Sequence, residues 1–207
     1  QCSDRRLTHV KELVPGDDHY TGYCDACAAG AGGVWISGDL HLCPLVWRVP
    51  FLAAITKQVI SDTNPRGTLT NLDLEMAAVL LHYMVLQQKS RPVIRSSRSL
   101  VDNTPTVAWT KRMADRSQAP TAGRLLQGLA AFQRSVQAGP FTIGSIASKA
   151  NDTAHIASRS FGITCNTALL THFNHRFPLP QQQFWRLVPL MSERISLVIS
   201  TLDGKRL

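Results

Sequence analysis

The sequence predicts an α/β domain in which helices flank a mixed β-sheet, and three observations support this fold class. The chain has 207 residues, of which 44% are apolar, enough to pack the core of one good-sized domain. Its first part contains three strand-like segments in close succession. After them, strand patterns alternate with helical patterns, which is typical of helices that cross between parallel strands.

Five segments have the composition of β-strands, and the first three form a predicted antiparallel meander. These segments cover residues 21–26, 34–37, 42–47, 93–101 and 141–146. The small-residue run at 28–33 is predicted as a glycine-rich turn between the first two strands.

Four segments have helical patterns, the last of them being a short helix or a turn. These segments cover residues 70–88, 104–113, 119–137 and 151–159. Thr70 is a suitable cap for the first helix, which has a wide apolar face. Thr104 followed by Pro105 fits a helix cap with proline at the first helical position.

The composition along the chain predicts three regions. Residues 1–19 are a polar N-terminal segment or linker, and residues 20–161 form the α/β domain. Residues 162–207 are predicted as a C-terminal extension outside the core domain. Within that extension, the proline- and glutamine-rich stretch 177–183 indicates a linker, and 184–202 indicates one or two helices.

The charge balance favours an anionic partner. Twenty-two basic and 14 acidic residues give a formal net charge of +8, and nucleic acid is the first candidate. No apolar run approaches the roughly 18 residues of a membrane-spanning helix, so no membrane partner is expected. The 5 cysteines are odd in number and irregularly spaced, which favours a reducing intracellular compartment, cytoplasm or nucleus.

Three acids occupy positions where an α/β sheet binds ligands. Asp25 lies in the first predicted strand, Glu75 in the first turns of an otherwise apolar helix, and Asp102 at the end of the fourth strand. Acids on apolar segments are expensive to bury unless a cation meets them. A divalent metal is one such cation, and Mg²⁺ is commonly held by a few carboxylates plus substrate phosphates. We therefore expect the three carboxylates to converge on one divalent-metal site.

Four motifs in order resemble the ribonuclease H domains of retrotransposon reverse transcriptases. Tyr23-Cys24-Asp25-Ala26-Cys27 resembles the first catalytic strand, and Leu72-Asp73-Leu74-Glu75-Met76-Ala77-Ala78 resembles the glutamate helix. Leu100-Val101-Asp102-Asn103-Thr104 resembles the second aspartate strand. Asn151-Asp152-Thr153-Ala154-His155-Ile156-Ala157-Ser158-Arg159 resembles the final catalytic segment. The resemblance covers about residues 20–161.

This resemblance implies a five-stranded mixed sheet flanked by helices and metal-dependent hydrolysis of the RNA strand of RNA–DNA hybrids. The implied cofactor is Mg²⁺ (or Mn²⁺), and an adjoining reverse transcriptase in the same polyprotein is an implied partner. The implied catalytic residues are Asp25, Glu75, Asp102, Asp152 and His155, of which the first three hold the metal. The implied nucleic-acid contacts are Asn103, Arg112, Lys149 and Asn151.

The final segment departs from the family pattern at one catalytic position. The family has Asp where this chain has His155, and the nearest acid is Asp152, about one helical turn earlier. We expect His155 to be a tolerated replacement or a surface residue rather than a ligand. The alternative function is therefore a catalytically decayed module that binds nucleic acid or a protein partner.

Two further alternatives come from the residue types alone. Asp102 and Asp152 could each simply cap the helix that follows. Cysteine and histidine side chains at 24, 27, 41 and 43 are of the kinds that bind zinc. However, Cys24 and Cys27 would point to opposite faces of a strand, which argues against a zinc site.

Overall fold

The computed structural model describes six stretches of the chain, which are residues 19–39, 41–89, 96–112, 120–136, 139–179 and 184–204. The predicted N-terminal segment up to residue 18 lies outside the described residues. So do the start of the predicted fourth strand and part of the predicted linker at 180–183.

The described residues form one six-stranded mixed sheet with the strand order β5-β4-β1-β2-β3-β6. Its strands are β1 (Tyr20–Cys27), β2 (Gly30–Ser37), β3 (Leu45–Pro50), β4 (Ser97–Val101), β5 (Phe141–Ser145) and β6 (Arg186–Leu187). The first three strands are antiparallel neighbours, whereas β4 pairs in parallel with β1 and with β5. The predicted α/β class is confirmed, and the expected five strands are extended by β6, a two-residue strand parallel to β3.

Helices connect and cover these strands. They are α1 (Ala53–Thr56), α2 (Asn71–Lys89), α3 (Thr104–Arg112), α4 (Pro120–Ser135), α5 (Asp152–Arg159), α6 (Asn166–Arg176) and α7 (Ser192–Leu202). No helix among the described residues combines the length and the hydropathy needed to cross a bilayer.

Two capping interactions fix where helices begin. The Thr70 hydroxyl accepts a hydrogen bond from the Asp73 backbone N–H, and Asp73 accepts one from the Thr70 backbone N–H, so α2 has the predicted cap. The other Asp73 oxygen accepts a hydrogen bond from the Ala122 backbone N–H in the first turn of α4. At α3 the cap is Asn103, one residue before the predicted Thr104, because the Asn103 side chain accepts the Thr106 backbone N–H.

The glycine-rich run belongs to a strand and not to a turn. The turn contains only Ala28 and Ala29, and Gly30 already pairs with Cys27. Glycine is needed at position 32 because α5 lies directly on the sheet there. A Cβ atom on Gly32 would lie 2.4 Å from the Ala157 carbonyl carbon of α5.

The third strand begins later than predicted, at Leu45 rather than at residue 42. Pro44 has no N–H to donate to the ladder, and Leu42 is exposed in the preceding loop. Pairing of Trp35 with Leu45 sets the register with β2. Local composition could not supply this register, because it depends on which residues face the core.

Two hydrophobic cores lie on opposite faces of the sheet. The larger core surrounds α2, which is buried on every side from residue 73 to residue 86. Sheet strands, α3, α4 and α7 all contact this helix. The smaller core joins β2 and β3 to α5 and α6, with Val34, Val46 and Phe173 among its buried residues.

The C-terminal segment contributes to both cores, although the sequence predicts an extension outside the core domain. Phe173 and Trp185 are buried in the smaller core, and Val198 and Leu202 are buried in the larger one. The physical reason is that the open edge of β3 and the outer face of α2 would otherwise expose polar backbone and apolar side chains. Strand β6 and helix α7 cover these two surfaces.

A buried histidine organises the centre of the larger core. The His82 ring stacks on Trp35 with centroids 3.9 Å apart, and the Trp47 indole N–H donates a hydrogen bond of 2.8 Å to His82 Nδ1. Complete burial keeps the pKa of His82 well below its ordinary value, so the ring is neutral. His82 is therefore a structural core residue.

Replacing Trp47 with Phe is expected to destabilise the fold by about 1–3 kcal/mol more than the same change at Trp109. Trp47→Phe leaves the buried His82 Nδ1 without its donor, whereas Trp109 is only partly buried at the edge of the core. Urea denaturation of both variants measures the difference. Equal losses of unfolding free energy would contradict the role given to the Trp47–His82 hydrogen bond.

Candidate metal centre

Two parallel neighbouring strands bring two acids to the same edge of the sheet. Strands β1 and β4 are hydrogen-bonded in parallel, so their carboxyl ends lie together. Asp25 is on β1 near that end, and Asp102 immediately follows β4. Asp25 is only 2% exposed, which is unusual for an acid and requires compensating partners.

Helix α5 is attached to β1 beside these acids by two side chains. The buried Asn151 amide donates a hydrogen bond of 3.2 Å to the Cys24 carbonyl oxygen at the start of the helix. Near its end, the buried Ser158 hydroxyl donates a short hydrogen bond to Asp25 Oδ2. Together with the close approach over Gly32, these contacts fix which face of α5 meets the acids.

The face of α5 that meets the acids carries His155. Its Nε2 atom lies 3.1 Å from Asp102 Oδ2 and 3.6 Å from Asp25 Oδ1. One ligand atom from each of these three residues lies within 4.8 Å of the others, and this is the one such cluster among the described residues. His155 is thus neither a surface residue nor remote from the acids.

Glu75 lines the same cleft from α2. Its side chain is 3% exposed, and its Oε2 atom has no hydrogen-bond partner within the described parts of the chain. Burial, with further repulsion from Asp25 and Asp102, raises the pKa of Glu75 to about 9. A buried carboxyl oxygen without a hydrogen-bond partner, on a residue that lines an acidic cleft, indicates a missing cationic partner.

Burial also raises the pKa of Asp25, although Ser158, His155 and Arg159 act in the opposite direction. Arg159 Nη2 lies 3.6 Å from Asp25 Oδ2, and the Arg159 side chain is 56% exposed at the mouth of the cleft. The protein therefore holds the Asp25 and Glu75 carboxyl groups in surroundings that raise their pKa values and favour the protonated forms.

The donor set of this cleft fits a divalent cation. Asp25 and Asp102 supply carboxylate oxygens of the kind that Mg²⁺ and Mn²⁺ bind, and His155 adds an imidazole nitrogen to the same cluster. Glu75 is not part of that cluster, but it lines the cleft beside the two aspartates with a further carboxyl group. The unpartnered Glu75 oxygen is the structural observation that supports the fit. A cation would relieve the repulsion that raises the pKa of Glu75.

The structure separates Asp152 from the other predicted catalytic acids. Asp152 is on the outward face of α5, where Arg176 of α6 donates to its Oδ2 at 2.8 and 3.3 Å. About half of each of the two side chains is exposed. Asp152 therefore links the exposed sides of α5 and α6 and does not join the cluster.

The predicted nucleic-acid residues occupy different environments. Asn103 lines the cleft, but its side chain carries the cap of α3. Arg112 and Lys149 are exposed, at the end of α3 and in a 3-10 turn at Ser148–Ala150 respectively. Asn151 is completely buried and anchors α5, so its side chain is not available to a nucleic acid.

The alternative zinc ligands do not assemble. The Cys24 thiol lies 3.7 Å from the Ser99 hydroxyl, whereas the Cys27 thiol donates to the Ser158 carbonyl oxygen from the other face of β1. Cys43 is exposed in a loop, and none of these thiols belongs to a metal-binding cluster among the described residues.

Sequence reasoning missed three contributions to the cleft. Ser158 and Arg159 stand three and four residues after His155, so helical spacing alone could have placed them on its face. Residues 59–61, in the connection between β3 and α2, form another wall. No local pattern indicates their position, since the connection is folded by Asn64, whose amide donates to the carbonyl oxygens of Lys57 and Val59.

Comparisons with known proteins give structural similarity only. No family model matches the sequence, and no curated protein matches it. RNase H1 from the halophilic archaeon Halobacterium salinarum NRC-1 is similar with a TM-score of 0.47 and 12% identity, over 70% of this chain and 98% of that one. LC11-RNase H1, isolated from compost by a metagenomic approach, is similar with a TM-score of 0.46 and 14% identity, over 67% of this chain and 91% of that one.

The raised pKa of Glu75 predicts that the metal-free protein loses stability as pH rises. A carboxyl whose folded pKa of about 9 exceeds its unfolded value contributes stability that is fully present below the unfolded value of about 4.3 and is lost progressively as pH rises from there through the folded value. Glu75→Gln should remove this dependence. Between pH 5 and pH 8.5 in EDTA, the wild type should lose on the order of a few kcal/mol more than the variant.

The matched control is Glu193→Gln, because Glu193 is exposed at the start of α7. Urea unfolding at the two pH values gives the free energies for all three proteins. A Glu75→Gln variant with the same pH slope as the wild type would show that Glu75 is ionised in the folded state.

Proposed function

We propose that this chain is a metal-dependent ribonuclease H that hydrolyses the RNA strand of RNA–DNA hybrids. The observation that carries the proposal is the convergence of Asp25, Asp102 and His155, beside a cleft that Glu75, with its unpartnered Oε2 atom, also lines. The motifs on which these residues lie resemble that family in order and in placement on strand, helix and strand end. The net charge of +8 suits a polyanionic duplex.

Each side chain has a role that its contacts support. Asp25, Asp102 and Glu75 would hold Mg²⁺ or Mn²⁺, and Ser158 orients the Asp25 carboxylate by donating to it. Bound there, a divalent cation supplies a Lewis acid for water activation and for the charge on the departing oxygen. The exposed guanidinium of Arg159 stands at the cleft mouth, where it can contact a substrate phosphate.

The wider context is part of the proposal. The chain would belong to a retroelement polyprotein with an adjoining reverse transcriptase and would act inside the cell, in the cytoplasm or the nucleus. The ribonuclease H-like domain would span residues 20–161. Arg112 and Lys149 are its proposed phosphate contacts, because both are exposed cations.

The test is an end-labelled RNA–DNA hybrid incubated with the purified chain and Mg²⁺ or Mn²⁺. We expect the RNA strand to be cleaved and the cleavage to stop in EDTA. Duplex DNA and duplex RNA of the same sequence should remain intact. Binding of the hybrid should weaken as salt increases from 50 to 200 mM. Cleavage that persists in EDTA, or that is equal on duplex RNA, would overturn the proposal.

A binding module without cleavage is the second candidate function. The observation that favours it is His155, which occupies the family's Asp position and contacts both aspartates. Salt-sensitive binding of the hybrid with no cleavage in either metal would establish this alternative.

A further inference from the structure

The His155 side chain is largely enclosed, although the sequence leads us to expect a tolerated replacement or a surface residue. Only 18% of its side chain is exposed, and Nε2 lies 3.1 and 3.6 Å from carboxylate oxygens of Asp102, just after β4, and of Asp25, in β1. Adjacent ligands at about 2.1 Å from an octahedral cation lie about 3 Å apart. The separations of Nε2 from Asp102 and Asp25, 3.1 and 3.6 Å, are close to that spacing.

The helix presents the imidazole in a fixed position. Asn151 holds the start of α5 on the Cys24 carbonyl, and Ser158 holds its end on Asp25. A ring positioned from both sides requires little reorganisation to take up a cation, which favours a direct bond over a loose contact.

Nitrogen ligation changes which cations the centre prefers. Mg²⁺ selects oxygen ligands, whereas Mn²⁺ accepts imidazole as well as carboxylate. An aspartate at this position would supply another anionic oxygen and thus favour Mg²⁺. A neutral nitrogen weakens Mg²⁺ binding more than Mn²⁺ binding.

We propose that His155 is a direct metal ligand through Nε2 and that it makes the centre prefer Mn²⁺ to Mg²⁺, an inference that rests on the metal-dependent function proposed above. Glu75 lies outside the cluster of Asp25, Asp102 and His155, but it lines the cleft together with the two aspartates, so its buried carboxyl would add a further oxygen ligand to this mixed carboxylate–imidazole site.

The test uses Mn²⁺ itself as the probe and needs no nuclease activity. Pulsed electron paramagnetic resonance of the Mn²⁺-loaded chain should show coupling to an imidazole ¹⁴N nucleus. The coupling should vanish in His155→Ala and His155→Asp and persist in His172→Ala, since His172 is exposed on α6. By calorimetry, His155→Asp should lower the ratio of Mn²⁺ to Mg²⁺ affinity by about tenfold.

The outcomes separate this inference from the proposed function. Wild-type Mn²⁺ spectra without nitrogen coupling, or coupling that survives in His155→Ala, would overturn the ligand assignment, leaving His155 as a hydrogen-bond partner of Asp102. An unchanged affinity ratio in His155→Asp would overturn the preference. Nitrogen coupling in a protein that cleaves no hybrid would support the ligand assignment and reject the nuclease function.

Discussion

Replacing Asp25 with Asn is expected to reduce hybrid cleavage by at least about a thousandfold while the protein remains folded. The Asp25 carboxylate contacts three neighbouring side chains: Ser158 donates a hydrogen bond to it, and His155 and Arg159 each lie 3.6 Å from one of its oxygens. Removal of its charge weakens the site for a cation whose electrostatic contribution to such reactions is several kcal/mol.

Folding should survive this change because burial already disfavours the Asp25 charge and raises its pKa. The Asn amide oxygen can still accept the Ser158 hydroxyl hydrogen bond. The assay is single-turnover cleavage of a labelled hybrid, with circular dichroism and urea unfolding to monitor the fold.

Asp152→Asn is the matched control. It makes the same chemical change on α5, three residues before His155. Asp152 contacts Arg176 at the surface, so this variant should retain cleavage within about twofold and lose under about 1 kcal/mol of stability. Equal losses of activity in the two variants would place Asp152 in the metal centre and contradict its outward position on α5.

Gly32→Ala is expected to reduce both stability and metal binding. A Cβ atom at this position would lie 2.4 Å from the Ala157 carbonyl carbon and 2.5 Å from the Ser158 backbone nitrogen. Backbone atoms cannot rotate away, so α5 must move from the sheet at a cost of about 1–3 kcal/mol. The movement would separate His155 and Ser158 from Asp102 and Asp25.

The control is Gly162→Ala, where an added Cβ meets nothing within 4 Å. That variant should stay within about 0.5 kcal/mol of the wild type. Urea unfolding and Mn²⁺ titration of both variants measure the two effects. If Gly32→Ala binds Mn²⁺ as tightly as Gly162→Ala does, the close approach of α5 does not position the centre.

Much of the site was predictable because its parts are local. Asp25 and Asp102 stand at or after the ends of strands whose patterns are clear, and parallel neighbours bring such ends together. Glu75 was recognisable as an acid on an apolar helix. The Thr70–Asp73 cap likewise lies within four consecutive residues, so local chemistry decides it.

The rest depends on long-range packing. The rotation of α5 determines that His155 faces inward and Asp152 outward, and contacts with Cys24, Asp25 and Gly32 in strands more than 100 residues away set that rotation. Burial of the Glu75 carboxyl, which raises its pKa, follows from the elements surrounding α2.

By itself, the sequence determined the α/β class, the order of strands and helices, and the strand-end positions of Asp25 and Asp102, because each follows from nearest-neighbour pattern and turn chemistry. Only the tertiary structure decided that the C-terminal segment completes both cores and that an imidazole, not a fourth carboxylate, meets the two aspartates. The reason is that a helix or strand pattern specifies an apolar face but not its partner. Which element packs against that face depends on the apolar surfaces that remain exposed once the rest of the chain has folded.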